Sequence, residues 1–252
     1  MNHTSWLTVN RLLPEPTGEV AAVDAYAVPD DRRHVRVNMV SSIDGAATLD
    51  GRVGTLTGPA DQRLLLLLRA LADVLVVGAG TVRAEGYGPL RVDPALAPLR
   101  QAAEQSAAPR LVVPTRSLDL DLGGAAFTEA IEAPLVVTTR LAPTERVRAA
   151  EQVAEVVVLG DETVDLAAML DQLAERGARR ILSEGGPSVL AGLLAADLVD
   201  ELCLAVAPVV TCGAESRITS GPLLPAPLPL HLAQVAEGEE FVFLRYTRTP
   251  LQ

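Results

Sequence analysis

Ile181-Leu182-Ser183-Glu184-Gly185-Gly186-Pro187-Ser188-Val189-Leu190-Ala191-Gly192 joins a strand, a turn and a helix in one short run. Arg179 to Leu182 is apolar and strand-like. Two glycines follow an acid, and Pro187 then opens a helix, where its missing N–H is no loss. Free backbone N–H groups at such a helix start, with the helix dipole behind them, favour an anion. The glycines let a ligand approach the backbone closely. Glu184 would repel a phosphate, so it is read as facing something else. The same residues also suit a plain strand-to-helix turn with a surface glutamate, and the motif alone carries both readings.

Composition bounds the answer. The chain has 252 residues and is 49% hydrophobic, enough for one large domain or two small ones. Aromatics are only 3%, so the core is expected to be aliphatic. A net charge of −11 argues against nucleic acid or a membrane surface as partner. An anionic ligand must then be held by local donors. Cys203 and Cys212 are too few for a disulfide framework and read as small packing residues of a reducing compartment. No secretory signal pattern opens the chain, and no apolar run nears the ~20 residues of a membrane span. A cytoplasmic protein is the expectation.

Taken in order, Met1 to Arg33 reads as an arm with a short strand near Leu7, packed down by Trp6. Val35–Ser41 is strand-like, and Ser41-Ser42-Ile43-Asp44-Gly45 leaves it. Asp44 suits a cleft or an Asx-type turn, the turn being the ordinary reading of an isolated Asp. Ala46 to Thr55 suits a flexible flap. Pro59 starts a helix whose five leucines, Leu64 to Leu68, cover every side, so it is expected to be largely buried. Arg69 near its end either snorkels to water or meets an anion. Ala72–Val77 is a second strand, followed at once by Gly78-Ala79-Gly80-Thr81-Val82-Arg83. This is a second glycine turn, but not the dinucleotide fingerprint, which needs glycine where Arg83 stands. Leu90–Pro109 reads as a mobile surface excursion. Further strands are expected at Arg110–Val113, Pro134–Thr139, Val153–Leu159, Val199–Val210, Leu228–Val235 and Glu240–Arg248. Helices are expected from Pro143 and over Asp165–Arg176. The first of these strands ends in Thr115-Arg116-Ser117, hydroxyls flanking an arginine, which suits a phosphomonoester or an ordinary polar turn.

Alternation of strands and helices, then strands alone, predicts an α/β fold. Its sheet is mainly parallel and mixed, with helices on both faces and an antiparallel C-terminal edge. Ligands of such sheets bind at the carboxyl ends of the parallel strands. Asp44, Gly78–Thr81, Thr115–Ser117 and Glu184–Pro187 all fall there. His3, His34 and His231 form no zinc spacing or catalytic pair. No P-loop, GxSxG elbow or zinc-deaminase motif occurs. Two anion-binding turns and an acid, with no metal and no nucleophile, suit hydride transfer, in which the cofactor supplies the chemistry. NADPH, with a pyrophosphate and a 2′-phosphate, would use both turns and Thr115–Ser117.

The ordered set Ser41-Ser42-Ile43-Asp44-Gly45, Thr57-Gly58-Pro59, Leu68-Arg69-Ala70, Gly78-Ala79-Gly80-Thr81-Val82-Arg83-Ala84, Glu184-Gly185-Gly186-Pro187, Leu198-Val199-Asp200-Glu201 and Ala207-Pro208 resembles a known family. It is the reductase domain of the bifunctional riboflavin-synthesis deaminase–reductase. The resemblance spans about Val35 to Arg248. It implies a three-layer dihydrofolate reductase-like fold, NADPH as cofactor and a homodimer. It further implies an arm over residues 1–34, one reductase domain over 35–252, and no deaminase domain. The implied reaction is reduction of the ribose of 5-amino-6-(5-phosphoribosylamino)uracil to a ribityl chain. By position, Val40, Thr55, Gly78, Gly80, Thr81, Glu85, Thr115, Arg116, Gly185, Gly186, Pro187, Ser188, Val189, Leu190 and Gly192 would lie along NADPH. Arg69, Leu90, Arg91 and Glu184 would contact substrate, and Asp44 would border the reacting carbon.

Two departures fall in the substrate half. Asn38 stands where the family has Lys. Glu85-Gly86-Tyr87-Gly88-Pro89-Leu90-Arg91 replaces Asp-Asp-Pro-x-Leu-Thr-Val-Arg, Arg91 standing nearest the family's arginine. A reductase of a pteridine such as dihydrofolate is therefore an alternative, its acid supplied by Asp44 or Glu184. A non-catalytic nucleotide-binding relative and an inert structural relative are the other two.

Overall fold

The computed structural model describes residues 7–13, 18–28 and 32–248; Trp6 lies outside them. The elements, in chain order, are β1 (Thr8–Leu13), β2 (Gly18–Ala21), α1 (Ala22–Ala25), β3 (His34–Ser42), α2 (Pro59–Leu71), β4 (Val74–Val76), α3 (Ala79–Glu85), α4 (Ala97–Ala102), β5 (Arg110–Pro114), α5 (Ala125–Thr128), β6 (Leu135–Thr138), α6 (Thr144–Ala150), β7 (Glu155–Val158), α7 (Leu166–Glu175), β8 (Arg180–Ser183), α8 (Pro187–Ala195), β9 (Glu201–Ala207), β10 (His231–Gly238) and β11 (Phe241–Thr247). One 11-stranded sheet runs β2-β1-β10-β11-β9-β3-β8-β4-β5-β6-β7. From β9 to β7 every pairing is parallel, and from β2 to β9 every pairing is antiparallel.

Strand alternation feeds two aliphatic cores. Leu75, Val113 and Leu182 face one way, onto Leu64, Leu67 and Leu68 of α2 and Val82 of α3. Val74, Val76, Val112 and Ile181 face the other, onto Met169, Leu170 and Leu173 of α7 and Leu190 and Leu193 of α8. The three-layer α/β arrangement is therefore the one expected. The segment read as an arm pairs into the sheet through β1 and β2. In α2, Leu65 and Leu66 are only half-buried, because helical geometry turns just the positions three and four apart inward.

Three local expectations change. The strand read as Val199–Val210 is shorter, and stops at Ala207 because Pro208 has no N–H for the ladder. Cys203 is buried as expected, but Cys212 is exposed in the loop beyond that stop. The Leu90–Pro109 excursion is not loose. Arg100, 2% exposed, donates to the carbonyls of Ala70, Ala72 and Ser106, and Gln105 donates to that of Leu71. These side chains satisfy carbonyls left free where α2 ends. Burial pulls the Arg100 guanidinium down to about 10.

Beneath the parallel strands, Glu201 accepts from Arg36 Nε at 2.6 Å, with His34 and Arg245 close by. Burial alone would raise its carboxyl. Arg36, His34 and Arg245 outweigh that and hold it well below the usual carboxylate range. This cluster ties β3, β9 and β11 together at the end of the sheet away from the glycine turns.

Candidate functional site

The two glycine turns meet. The amide of Gly78 donates to the carbonyl of Gly185 at 2.8 Å. Gly185 sits at φ +85°, a conformation side chains rarely adopt. A Cβ on Gly186 would lie 2.6 Å from Thr81 Oγ1, and one on Gly78 would lie 3.0 Å from Val189 Cγ2 and 3.3 Å from the Gly186 nitrogen. The turns thus form one cradle, open to a cleft of about 1730 Å³. The helix after the second turn, α8, carries Pro187 at its start.

Gly78, Gly80, Thr81, Glu85, Thr115, Arg116, Glu184, Gly186, Pro187, Ser188, Val189 and Gly192 all line this cleft. Their separation in sequence is closed by the parallel order β8-β4-β5, which sets three strand ends side by side. Thr115 is buried, and its hydroxyl accepts from the amide of Leu118 at 3.1 Å, which fixes the turn. Arg116 is exposed and has no hydrogen-bond or ion-pair partner among the described residues.

Beside the cradle, Glu184 also lines the cleft. Arg69 donates to both its oxygens, Nε to Oε1 at 2.6 Å and Nη2 to Oε2 at 2.7 Å. The Tyr87 hydroxyl donates to Oε2 at 2.5 Å, and the Arg69 guanidinium lies 5.4 Å from the centre of the Tyr87 ring. Tyr87 is delivered by the end of α3. Gly86 takes the left-handed conformation at φ 61°, and the Tyr87 amide returns to the carbonyl of Val82. Burial would lower the Arg69 guanidinium, but Glu184 outweighs it and raises it. Burial, then Glu184, pushes the Tyr87 phenol up. Asp61 in the first turn of α2 is 5% exposed and accepts from Thr57 Oγ1 at 2.6 Å. Burial first, and then the charge of Glu184, raises its carboxyl. Two acids therefore stand in opposite environments: Glu184 clamped by a cation, Asp61 with only a hydroxyl.

Asp44 does not line the cleft. It is exposed, and its carboxylate is committed to Ser42 Oγ at 2.5 Å, the Cys212 amide at 2.7 Å and the Thr211 amide at 3.2 Å. These bonds, led by that from Ser42, hold it down to about 2. This is not an Asx-type turn: the amides it holds lie 167 and 168 residues away, and the Ala46 amide goes to Ser42 Oγ instead.

Other expected residues also stand apart from the cleft. Leu190 is fully buried among the α7 and α8 side chains, since it lies on the inner face of α8. Val40 is a core residue, Thr55 is exposed on the flap, and Gly185 forms the cradle's underside. Leu90 packs into the core, and Arg91 turns outward to the carbonyl of Glu129. Residues the sequence did not single out complete the walls: Met39 of β3, Ala47, Thr48, Gly51 and Val53 of the flap, and Glu215, Ser216 and Ser220 beyond β9. Glycine content marked the flap, but nothing in Glu215-Ser216 signalled a site. Among the described residues, no group of three or more His, Cys, Asp or Glu could hold a metal ion, and no helix is long and apolar enough to cross a membrane.

Comparison with known proteins agrees with this geometry. The model of the RibD C-terminal domain matches residues 33–242. A 2,5-diamino-6-ribosylamino-4(3H)-pyrimidinone 5′-phosphate reductase of Archaeoglobus fulgidus is 33% identical over 186 residues, covering 73% of this chain and 84% of its own. A relative of the same name from Aquifex aeolicus is 30% identical, covering 73% and 80%. Among solved structures, a pyrimidine reductase-like protein of Corynebacterium diphtheriae superposes with a TM-score of 0.81 at 31% identity, over 89% of this chain and 97% of that one. With the cradle, the acid and the strand order all in place, the chain belongs to the RibD C-terminal domain family.

Proposed function

We propose that the chain is an NADPH-dependent reductase of riboflavin biosynthesis, reducing the ribose of a phosphoribosylaminopyrimidine to a ribityl chain. The observation that carries this reading is the Glu184 clamp standing directly beside the glycine cradle. The cradle suits a dinucleotide: Gly80 has open space where a Cβ would stand, and Gly186 is bare because a Cβ there would meet Thr81 Oγ1 at 2.6 Å. Gly78, Gly80 and Thr81 would hold one part of the pyrophosphate, and Gly186, Pro187 and Ser188 the other. Thr115 and Arg116 would take the 2′-phosphate, Arg116 being an exposed cation with no partner among the described residues. Once bound, the reduced nicotinamide supplies a hydride.

The remaining steps belong to this chain's own residues. Arg69 fixes the Glu184 carboxylate from behind, and Tyr87 fixes it from the side. One acceptor position on Glu184 is left to receive an N–H of the pyrimidine. That serves both the aminouracil and the diaminopyrimidinone named for the relatives, because each presents an N–H on its ring edge. The clamp orients the ring while the ribose carbon meets the cleft. The test is incubation with NADPH and the phosphoribosylaminopyrimidine, read by mass: a product heavier by two hydrogens supports the reading, and unchanged substrate overturns it.

The homodimer rests on the antiparallel half of the sheet. There Phe243 and Ala205 are buried on one face, while Val242 and Leu232 stay 37% and 45% exposed and Leu204, Val206 and Leu244 are half-covered. A second copy would cover this apolar face. The unpaired Cys203 and Cys212 suit the cytoplasm.

A further inference from the structure

We infer that Asp44 is a positioning residue: it latches the flap after β3 to the connection between β9 and β10, and so sets the cleft wall that these two segments share. This rests on the cofactor reading above.

The flap, residues 43–56, and the connection, residues 208–230, contain no helix and no strand beyond the isolated Leu49–Arg52 bridge. Such segments hold their place through discrete cross-links more than through a packed face. Both segments supply lining to the cleft: Ala47, Thr48, Gly51 and Val53 from one, Glu215, Ser216 and Ser220 from the other. Asp44 lies at the root of the flap and collects donors from the far segment, the Thr211 and Cys212 amides and, at 3.4 Å, the Thr211 hydroxyl. Bonds from amides to an ionised carboxylate are among the stronger ones. The flap root itself is knotted: Ser42 Oγ donates to Asp44 while accepting from the Ala46 amide at 2.9 Å.

The latch is continued by its neighbours. The Ile43 amide donates to the Val209 carbonyl at 2.9 Å and the Ala47 amide to the Ser216 carbonyl at 2.7 Å, while the hydroxyls of Thr48 and Ser216 meet at 2.7 Å. Farther on, the Ser220 amide donates to the Pro187 carbonyl at 3.1 Å. A connected set of bonds thus runs from Asp44, through the connection, to the first residue of α8. Asp44 acts on the cofactor through this set and not by touching the reacting atoms.

The experiment measures NADPH affinity by fluorescence titration, together with single-turnover hydride transfer at saturating cofactor, in the whole protein, D44A and D44N. D44A is expected to weaken NADPH about tenfold while the single-turnover rate stays within about threefold. D44N keeps one carbonyl oxygen for the Cys212 amide and is expected to recover most of the affinity. Unchanged NADPH affinity in D44A overturns the inference. So does an equal collapse of the single-turnover rate in both variants with affinity kept, which marks a reacting group. If D44A does not fold, the pair Thr48→Val and Ser216→Ala removes the next cross-link; it is expected to weaken NADPH in the same direction, and no change in it overturns the latch. Failure of the unaltered protein to bind NADPH overturns the cofactor reading instead, so the two failures are told apart.

Discussion

The amide of Gly78 donates to the carbonyl of Gly185 at 2.8 Å, joining the turn after β4 to the turn after β8. Because of this bond the two turns are one object, and the residues that follow each of them face the same cleft. Its consequences are open to measurement.

Gly186→Ala places a methyl 2.6 Å from Thr81 Oγ1. NADPH affinity is expected to fall about tenfold or more, with a melting temperature lower by a few degrees. Adding Thr81→Ala removes the clash and is expected to restore the melting temperature but not the affinity. Recovery of both would show that Thr81 takes no part in holding the cofactor.

Tyr87→Phe deletes one bond to Glu184 and leaves the ring against Arg69. A hydrogen bond to a charged group contributes about 1.5–3 kcal/mol. The expected result in steady-state kinetics is a KM for the pyrimidine raised roughly tenfold, with NADPH affinity unchanged. Arg69→Lys is expected to cost more, since an ammonium cannot span both oxygens. Equal loss of pyrimidine and cofactor binding would place Tyr87 in the fold and not in the site.

Asp61 gives the pH dependence of stability. Its carboxyl is raised in the folded chain above the ordinary 3.8, so the native state holds the proton more tightly than the unfolded one. That contribution is fully present below 3.8 and is lost as pH rises through the raised value. Asp61→Asn, which cannot ionise, is expected to melt above the unaltered protein at neutral pH, the gap closing on acidification. Denaturation followed at several pH values checks this; a gap that widens in acid contradicts it.

Thr115→Ala with Arg116→Ala tests the 2′-phosphate. The double variant is expected to lose NADPH affinity by about tenfold or more while NADH, which lacks that phosphate, is barely affected. Equal losses would move the 2′-phosphate elsewhere.

Much of the fold was legible because its causes are local. Ala72–Val77, Pro134–Thr139 and Arg179–Leu182 read as strands, and each overlaps an observed one, while Pro59 and Pro187 marked helix starts that are observed. The cradle was legible for the same reason, glycines at strand ends. The substrate side was less so. Tyr87 stood in view as a departure from the family pattern, but its bond to Glu184 spans 97 residues and depends on the Gly86 turn. Asp61 is a single acid in the first turn of α2, with nothing local to mark it, and its burial comes only with the packed fold. Asp44 was placed at the reacting carbon by resemblance, whereas its partners Thr211 and Cys212 sit in a loop with no periodicity to read. Arg100 was hidden in a proline-rich stretch, where nothing local tells that a guanidinium will close the end of α2.

The central claim is reduction of a pyrimidine at the Glu184 end of the cleft. Its most direct measurement is NADPH oxidation by the unaltered protein with the phosphoribosylaminopyrimidine and, separately, with dihydrofolate. The account predicts turnover with the pyrimidine at a kcat/KM well above that with dihydrofolate, and loss of pyrimidine turnover in Glu184→Gln. Oxidation with dihydrofolate alone, or with neither, would contradict it.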